Sequence, residues 1–166
     1  MSEQLRQTPT FEAVFGGFIR DEGMLADFKS SLVTALDLNK AGSWLTVHLH
    51  MGTFVEMDNL VKAEKAIAGA LSLKTAEILP AYPADSLSEA CFPTIIELLR
   101  RRCAAVNGTF DGAECHIEGN TMKVKLQHGG LNILKTTKTD KQLEQLLHNL
   151  FGHPIRLELE GDLEVD

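Results

Sequence analysis

Basic residues are in short supply. Lysine and arginine total 16 against 23 aspartates and glutamates, a net charge of −7. An anionic surface repels phosphate, so tight non-specific binding of nucleic acid by the whole surface is excluded, and only a local basic patch remains open. Long apolar runs are also missing. The stretch Ala66 to Leu71 falls far short of the roughly 20 residues a membrane span needs. The opening residues, Met1-Ser-Glu-Gln-Leu-Arg, have no apolar signal-peptide core, which leads us to expect a soluble, cytoplasmic protein with no membrane partner. The three cysteines, Cys91, Cys103 and Cys115, include no Cys-x-x-Cys pair, so reduced thiols and no metal framework are expected. There is no P-loop, no Gly-x-Gly-x-x-Gly and no Gly-x-Ser-x-Gly, hence no recognisable catalytic residue and no cofactor site.

What is present is ordinary globular material. The 166 residues are 44% apolar and 23% charged, enough for one domain or two small ones. After a polar, disordered start at 1–7, Thr8 and Pro9 suit the opening of a helix carrying Phe11, Val14, Phe15 and Phe18. A second helical piece is expected from Asp21 to Phe28. Leu32–Leu38 and Trp44–Met51 read as a hairpin, because Leu45, Val47 and Leu49 alternate with Thr46, His48 and His50. Asp58 is a candidate cap for a helix with Leu60, Ala63, Ile67 and Leu71 on one side. Lys74–Tyr82 closes this half as a strand.

Pro80, Pro83 and Ala84-Asp85-Ser86 mark a boundary. Beyond it, Ser86 and Glu89 form a potential capping box for a helix with Phe92, Ile95, Ile96 and Leu99, and Pro93 bends or restarts it. Gly119-Asn120 is a two-residue turn between strands Ala113–Glu118 and Thr121–Gln127. A short helix around Leu131–Lys135 follows. Thr139 and Gln142 suggest another capping box, opening a helix with Leu143, Leu146, Leu147 and Leu150 on one face, stopped by Gly152 and Pro154. Ile155–Leu159 is the last strand. The expected architecture is α+β, built from two small αββαβ-type units. The first is an interaction domain at 8–83, the second spans 86–160, and 161–166 is an acidic linker end.

Few side chains suggest chemistry. His48 and His50 share a strand face, a spacing that suits a metal and would serve a small metal-assisted hydrolase. Cys115 and His116 point to opposite faces, which argues against a nucleophile pair. Glu158 and Glu160 lead into the acidic end and read as solvated surface. Arg100-Arg101-Arg102 suits a helix C-terminus. The segment from Thr121 to Lys141 differs, because it carries five lysines against one acid, Asp140. Lys123, Lys125, Lys135, Thr136, Thr137, Lys138, Thr139 and Lys141 are the candidate nucleic-acid-binding residues. Those from Lys135 to Lys141 surround a helix-to-helix turn, where N–H groups, hydroxyls and ammonium groups suit a phosphate.

The element order from Ser86 to Glu160 resembles a type II KH domain, a fold that binds single-stranded nucleic acid through a Gly-x-x-Gly turn. This chain has Thr136-Thr137-Lys138-Thr139 there and lacks both glycines. At residue level, Ile117-Glu118-Gly119-Asn120, Val124-Lys125-Leu126, Leu134-Lys135, Asp140-Lys141 and Phe151-Gly152 follow one another in an order and spacing that resembles the N-terminal region of PolC-type DNA polymerase III alpha subunits. Phe11 to Phe15, the Trp44 hairpin and the helix after Asp58 fit the same pattern. The resemblance implies a non-catalytic docking region of a bacterial replicase, with polymerase and exonuclease activities outside these residues. Its partners would be replisome proteins, the clamp loader or another polymerase subunit, and single-stranded DNA.

Overall fold

Alternation of buried and exposed side chains sets both sheets. The computed structural model describes residues 8–103, 109–110, 112–127 and 131–161. The start at 1–7, residues 104–108, Asp111, residues 128–130 and the acidic end from Asp162 lie outside them. The chain divides between Ser86 and Leu87 into two units. Among the described residues no helix is long and apolar enough to cross a membrane.

In the first unit, β1 (Leu32–Asn39) and β2 (Trp44–His50) form an antiparallel hairpin, and β3 (Thr75–Ala81) lies parallel to β2 on its other side. Gly42 N–H donates to Asn39 Oδ1 at 3.0 Å, closing the turn between β1 and β2. Leu45, Val47, Leu49, Ala76 and Ile78 fill the inner face. Helix α3 (Met57–Ala70) brings Leu60, Ala63 and Ile67 to the core. Two short helices, α1 (Phe11–Phe15) and α2 (Glu22–Asp27), precede the sheet. Around them Phe11 packs on Phe15 and Phe28, with ring centroids 4.9 and 4.7 Å apart. Such contacts add to the area these rings bury.

Two expected helix starts move in this unit. Thr10, not Thr8, caps α1, accepting from Ala13 N–H at 3.0 Å. Pro9 is withheld from the helix because its carbonyl accepts Val33 N–H at 2.8 Å and Thr10 bridges Leu32. With α1 ending at Phe15, Phe18 is 40% exposed instead of joining the inner face. Helix α3 begins one residue before Asp58, which sits in its first turn, where a carboxylate suits the helix dipole. Leu71 falls beyond the last turn and is 41% exposed. Glu64 is a buried exception on the apolar side. Its Oε2 accepts Ile78 N–H at 2.7 Å, satisfying a backbone donor on the outer strand β3.

The second unit repeats this winding. After a 3₁₀ turn at Glu89–Cys91 come α4 (Phe92–Arg100), the hairpin β4 (Glu114–Glu118) and β5 (Thr121–Lys125), then α5 (Leu131–Thr136), α6 (Thr139–Phe151) and β6 (Arg156–Glu160). β4 is antiparallel and β6 parallel to the central β5. Gly119 takes a left-handed φ of +58°, which the tight turn requires. Pro93 lies in the first turn of α4, where its missing N–H has no helical partner to lose. The Ser86–Glu89 box does not form. Ser86 Oγ donates to Pro83 O at 2.6 Å, and Glu89 Oε1 accepts Ile117 N–H of β4 at 3.1 Å. That bond holds the Glu89 carboxyl below its ordinary range. Leu143, Leu146, Leu147 and Leu150 are buried on one face of α6, which ends at Gly152 with φ +74°. The fold is α+β, two three-stranded sheets each covered by helices.

Candidate functional site

The register of the second sheet decides what its lysines can do. Met122 and Val124 turn into the core, so Lys123 and Lys125 emerge on the opposite, solvent-facing side. There Lys125 is paired with Glu114 on one side and Glu160 on the other. Lys123 lies between His116 and Glu158, and Thr121 between Glu118 and Arg156. Lys123 Nζ reaches Glu118 Oε2 at 3.1 Å. That bond, with the charge of Glu118 and of Glu158 and Glu160 behind it, holds the Lys123 ammonium above its usual range. Carboxylates thus alternate with cations across this face, and the two lysines lie among acids contributed by both neighbouring strands.

The remaining candidates meet at the turn between α5 and α6. Lys135, Thr136, Lys138 and Lys141 are exposed around it. Lys138 holds the turn in the left-handed region, φ +59°, a conformation glycine takes without strain. The hydroxyls of the two other threonines are engaged, one on exposed Thr137 and one on buried Thr139. Thr137 Oγ1 donates to Ile133 O at 2.7 Å, which leaves its oxygen to accept from Thr139 Oγ1, also at 2.7 Å. Thr139 in turn lies 3.2 Å from Cys103 Sγ and is fully buried. With one proton per group, the chain runs Cys103 S–H to Thr139 O–H to Thr137 O–H to the Ile133 carbonyl. The expected Thr139–Gln142 capping box is therefore absent, and Gln142 N–H donates to Lys138 O at 3.2 Å. Thr139 is a structural tie, and the turn offers three ammonium groups and the exposed Thr136. Asp140 and Glu144 lie close by. Asp140 Oδ1 accepts Lys141 N–H at 2.9 Å, and Glu144 Oε1 is 3.8 Å from Lys141 Nζ.

In the first unit, His48 Nε2 lies 2.8 Å from Asp37 Oδ2 across the hairpin. His50 is exposed on the same strand face. Among the described residues no group of three or more His, Cys, Asp or Glu side chains is gathered around a possible ion. A different feature had no sequence signal pointing to function. Leu36, Leu38 and Trp44 are 47%, 53% and 40% exposed at the β1–β2 end of the sheet. Pairing with β2, past the register shift between Val33 and Ala35, places Leu36 opposite Val47 and Leu38 opposite Leu45, on the inner face. Only the structure shows that their neighbours Leu45 and Val47 are covered and they are not.

Cys91 is buried and Cys103 and Cys115 are half-buried, all as free thiols. Burial, then the charge of Glu89 and the neighbouring Cys91, pushes the Cys115 thiol up from 9.0 to about 11. The folded state thus favours the neutral thiol. Its contribution to stability is complete below pH 9.0 and is lost as pH rises through about 11. At pH 8 the thiolate fraction is about 100-fold smaller than it would be for the unburied group. Iodoacetamide should therefore modify Cys115 at pH 8 about 100-fold more slowly than a free thiol. Mass spectrometry of timed samples measures this, and labelling at the free-thiol rate would show that burial does not protect the sulfur. Compared with known proteins, the chain matches no family model and no curated protein sequence.

Proposed function

We propose that this chain is a non-catalytic docking region of a bacterial replicative DNA polymerase of the PolC type, working in the cytoplasm. The first unit binds a replisome protein, the clamp loader or another polymerase subunit. The second, KH-like unit binds single-stranded DNA through the α5–α6 turn. One observation carries this reading: of six large apolar residues exposed among the described residues, Phe18, Leu36, Leu38, Trp44 and Leu71 belong to the first unit and only Ile133 to the second. Of these, Leu36 and Leu38 stand side by side on one sheet face, and a contiguous apolar face left open in this way suits a protein contact. Further support comes from the order of elements in the second unit and from the ammonium groups of Lys135, Lys138 and Lys141 around one turn. The sheet lysines are left out of the nucleic-acid role because glutamates flank them.

Fluorescence anisotropy with labelled single-stranded DNA over a range of salt tests the second part. Each phosphate contact contributes about 0.7 to the slope of log affinity against log salt for a single strand. Replacing Lys135 and Lys141 by Ala and Lys138 by Gly, which the left-handed turn accepts, should reduce that slope by about 2. An unchanged slope would remove the turn from the interface. Titration of isotope-labelled protein with purified clamp-loader and polymerase subunits tests the first part.

A further inference from the structure

The first sheet has two edges, and they are treated differently. The order β1-β2-β3 leaves β1 and β3 outermost. On β3, Glu64 Oε2 already holds Ile78 N–H, and Pro80 has no N–H to offer, so this edge cannot continue a ladder. On β1 the beginning is occupied, with Val33 N–H bound to Pro9 O and Leu32 bridged by Thr10. A register shift follows between Val33 and Ala35. From Ala35 to Asn39 the strand pairs with β2, and among the described residues nothing pairs with its other side. Leu36 and Leu38 stand on this stretch opposite Val47 and Leu45. The partners are 0% and 7% exposed, the two leucines 47% and 53%. The apolar face of the sheet thus runs out from under its helices at the edge strand.

We propose that Ala35–Asn39 accepts an extended segment of a partner protein as a fourth strand, one in which apolar residues alternate with lysine or arginine. This deepens the docking reading of the first unit and rests on it. Strand addition supplies affinity through the backbone and selects through alternate side chains. Every second side chain of the incoming strand would lie beside Leu36 and Leu38 and cover them. The intervening side chains would lie on the opposite face beside Asp37, whose carboxylate holds His48 Nε2 at 2.8 Å and is still 73% exposed. A cation suits that place, and the net charge of −7 draws a basic segment from a distance. A second copy is disfavoured by the same group. Antiparallel pairing of two β1 strands about their common centre sets one Asp37 against the other, and like charges directly opposite oppose pairing.

The probe is a short synthetic peptide alternating lysine and valine, titrated into the full chain labelled with nitrogen-15. The expected result is amide shift changes centred on Ala35–Asn39, with slowed hydrogen exchange there. A peptide with glutamate in place of lysine should bind about tenfold more weakly, as should the lysine peptide to Asp37→Asn or to Leu36→Ser with Leu38→Ser. A backbone-methylated version of the lysine peptide keeps every side chain and cannot form the ladder, and it needs no protein variant. Equal binding by the methylated peptide overturns the proposal. So do shifts confined to other residues, indifference to the sign of the peptide charge, and self-association through β1 without peptide binding. If replisome proteins bind with shifts away from β1, the edge is refuted and the docking reading stands. If the peptide binds at the edge and no replisome protein binds at all, the edge stands and the docking reading falls.

Discussion

Gly52→Ala should destabilise the first unit by about 2–3 kcal/mol. A Cβ at position 52 would stand 2.5 Å from Ser30 Cβ and 3.0 Å from the Ser30 carbonyl oxygen. Real side chains do not approach so closely, and both contacts are with atoms near the backbone, so the strand end and the segment before β1 must separate. For a unit of this size the melting temperature should fall by about 10 °C or more. Ser30→Gly removes the Cβ and hydroxyl that cause the clash. The double variant should therefore recover most of the loss, leaving only the 3.0 Å carbonyl contact. Urea melts of the wild type, both singles and the double give the coupling directly. Simple addition of the two single effects would show that the crowding does not arise from Ser30.

Leu147→Ala should cost the second unit about 3–4 kcal/mol. Leu147 is fully buried on the inner side of α6. Truncation removes its transfer energy and leaves a cavity that the surrounding leucines fill only in part. A single small core rarely supplies more than about 3–5 kcal/mol, so the amide signals of the second unit should collapse. Ile133→Ala on the neighbouring α5 is the matched control. With 51% of its surface already in water, its loss should stay within about 0.5 kcal/mol. Equal effects of the two substitutions would contradict the packing described.

The strands were legible because their signals are local. Leu45, Val47 and Leu49 repeat with the period of a pleated strand, and all three are buried. Gly119-Asn120 marks its hairpin by turn chemistry alone, and Leu143, Leu146, Leu147 and Leu150 mark the inner side of α6 by helical spacing. Helix starts were less legible, because a threonine or serine can cap or bond elsewhere. Pro9 is taken by β1, Thr139 by Cys103 and Thr137, and Glu89 by the first strand of the second hairpin. Apart from Thr137, each competitor is distant in sequence. The lysines show the same limit. Counted along the chain, residues 121–141 are basic, yet Glu114, Glu158 and Glu160 come to lie beside Lys123 and Lys125 through strand pairing. The turn lysines, whose surroundings are mostly local, stayed where spacing put them. The exposed edge of β1 had no local signature, because it depends on which neighbours a strand lacks.

Trp44 is the only tryptophan in the chain, two-fifths exposed and in register with Asn39 at the end of the edge strand. Indole emission from the unlabelled protein therefore originates at one corner of one sheet. A titration followed at that wavelength reports the surroundings of this one indole, so the β1–β2 corner of the first sheet can be followed on adding a ligand without a tag or a probe.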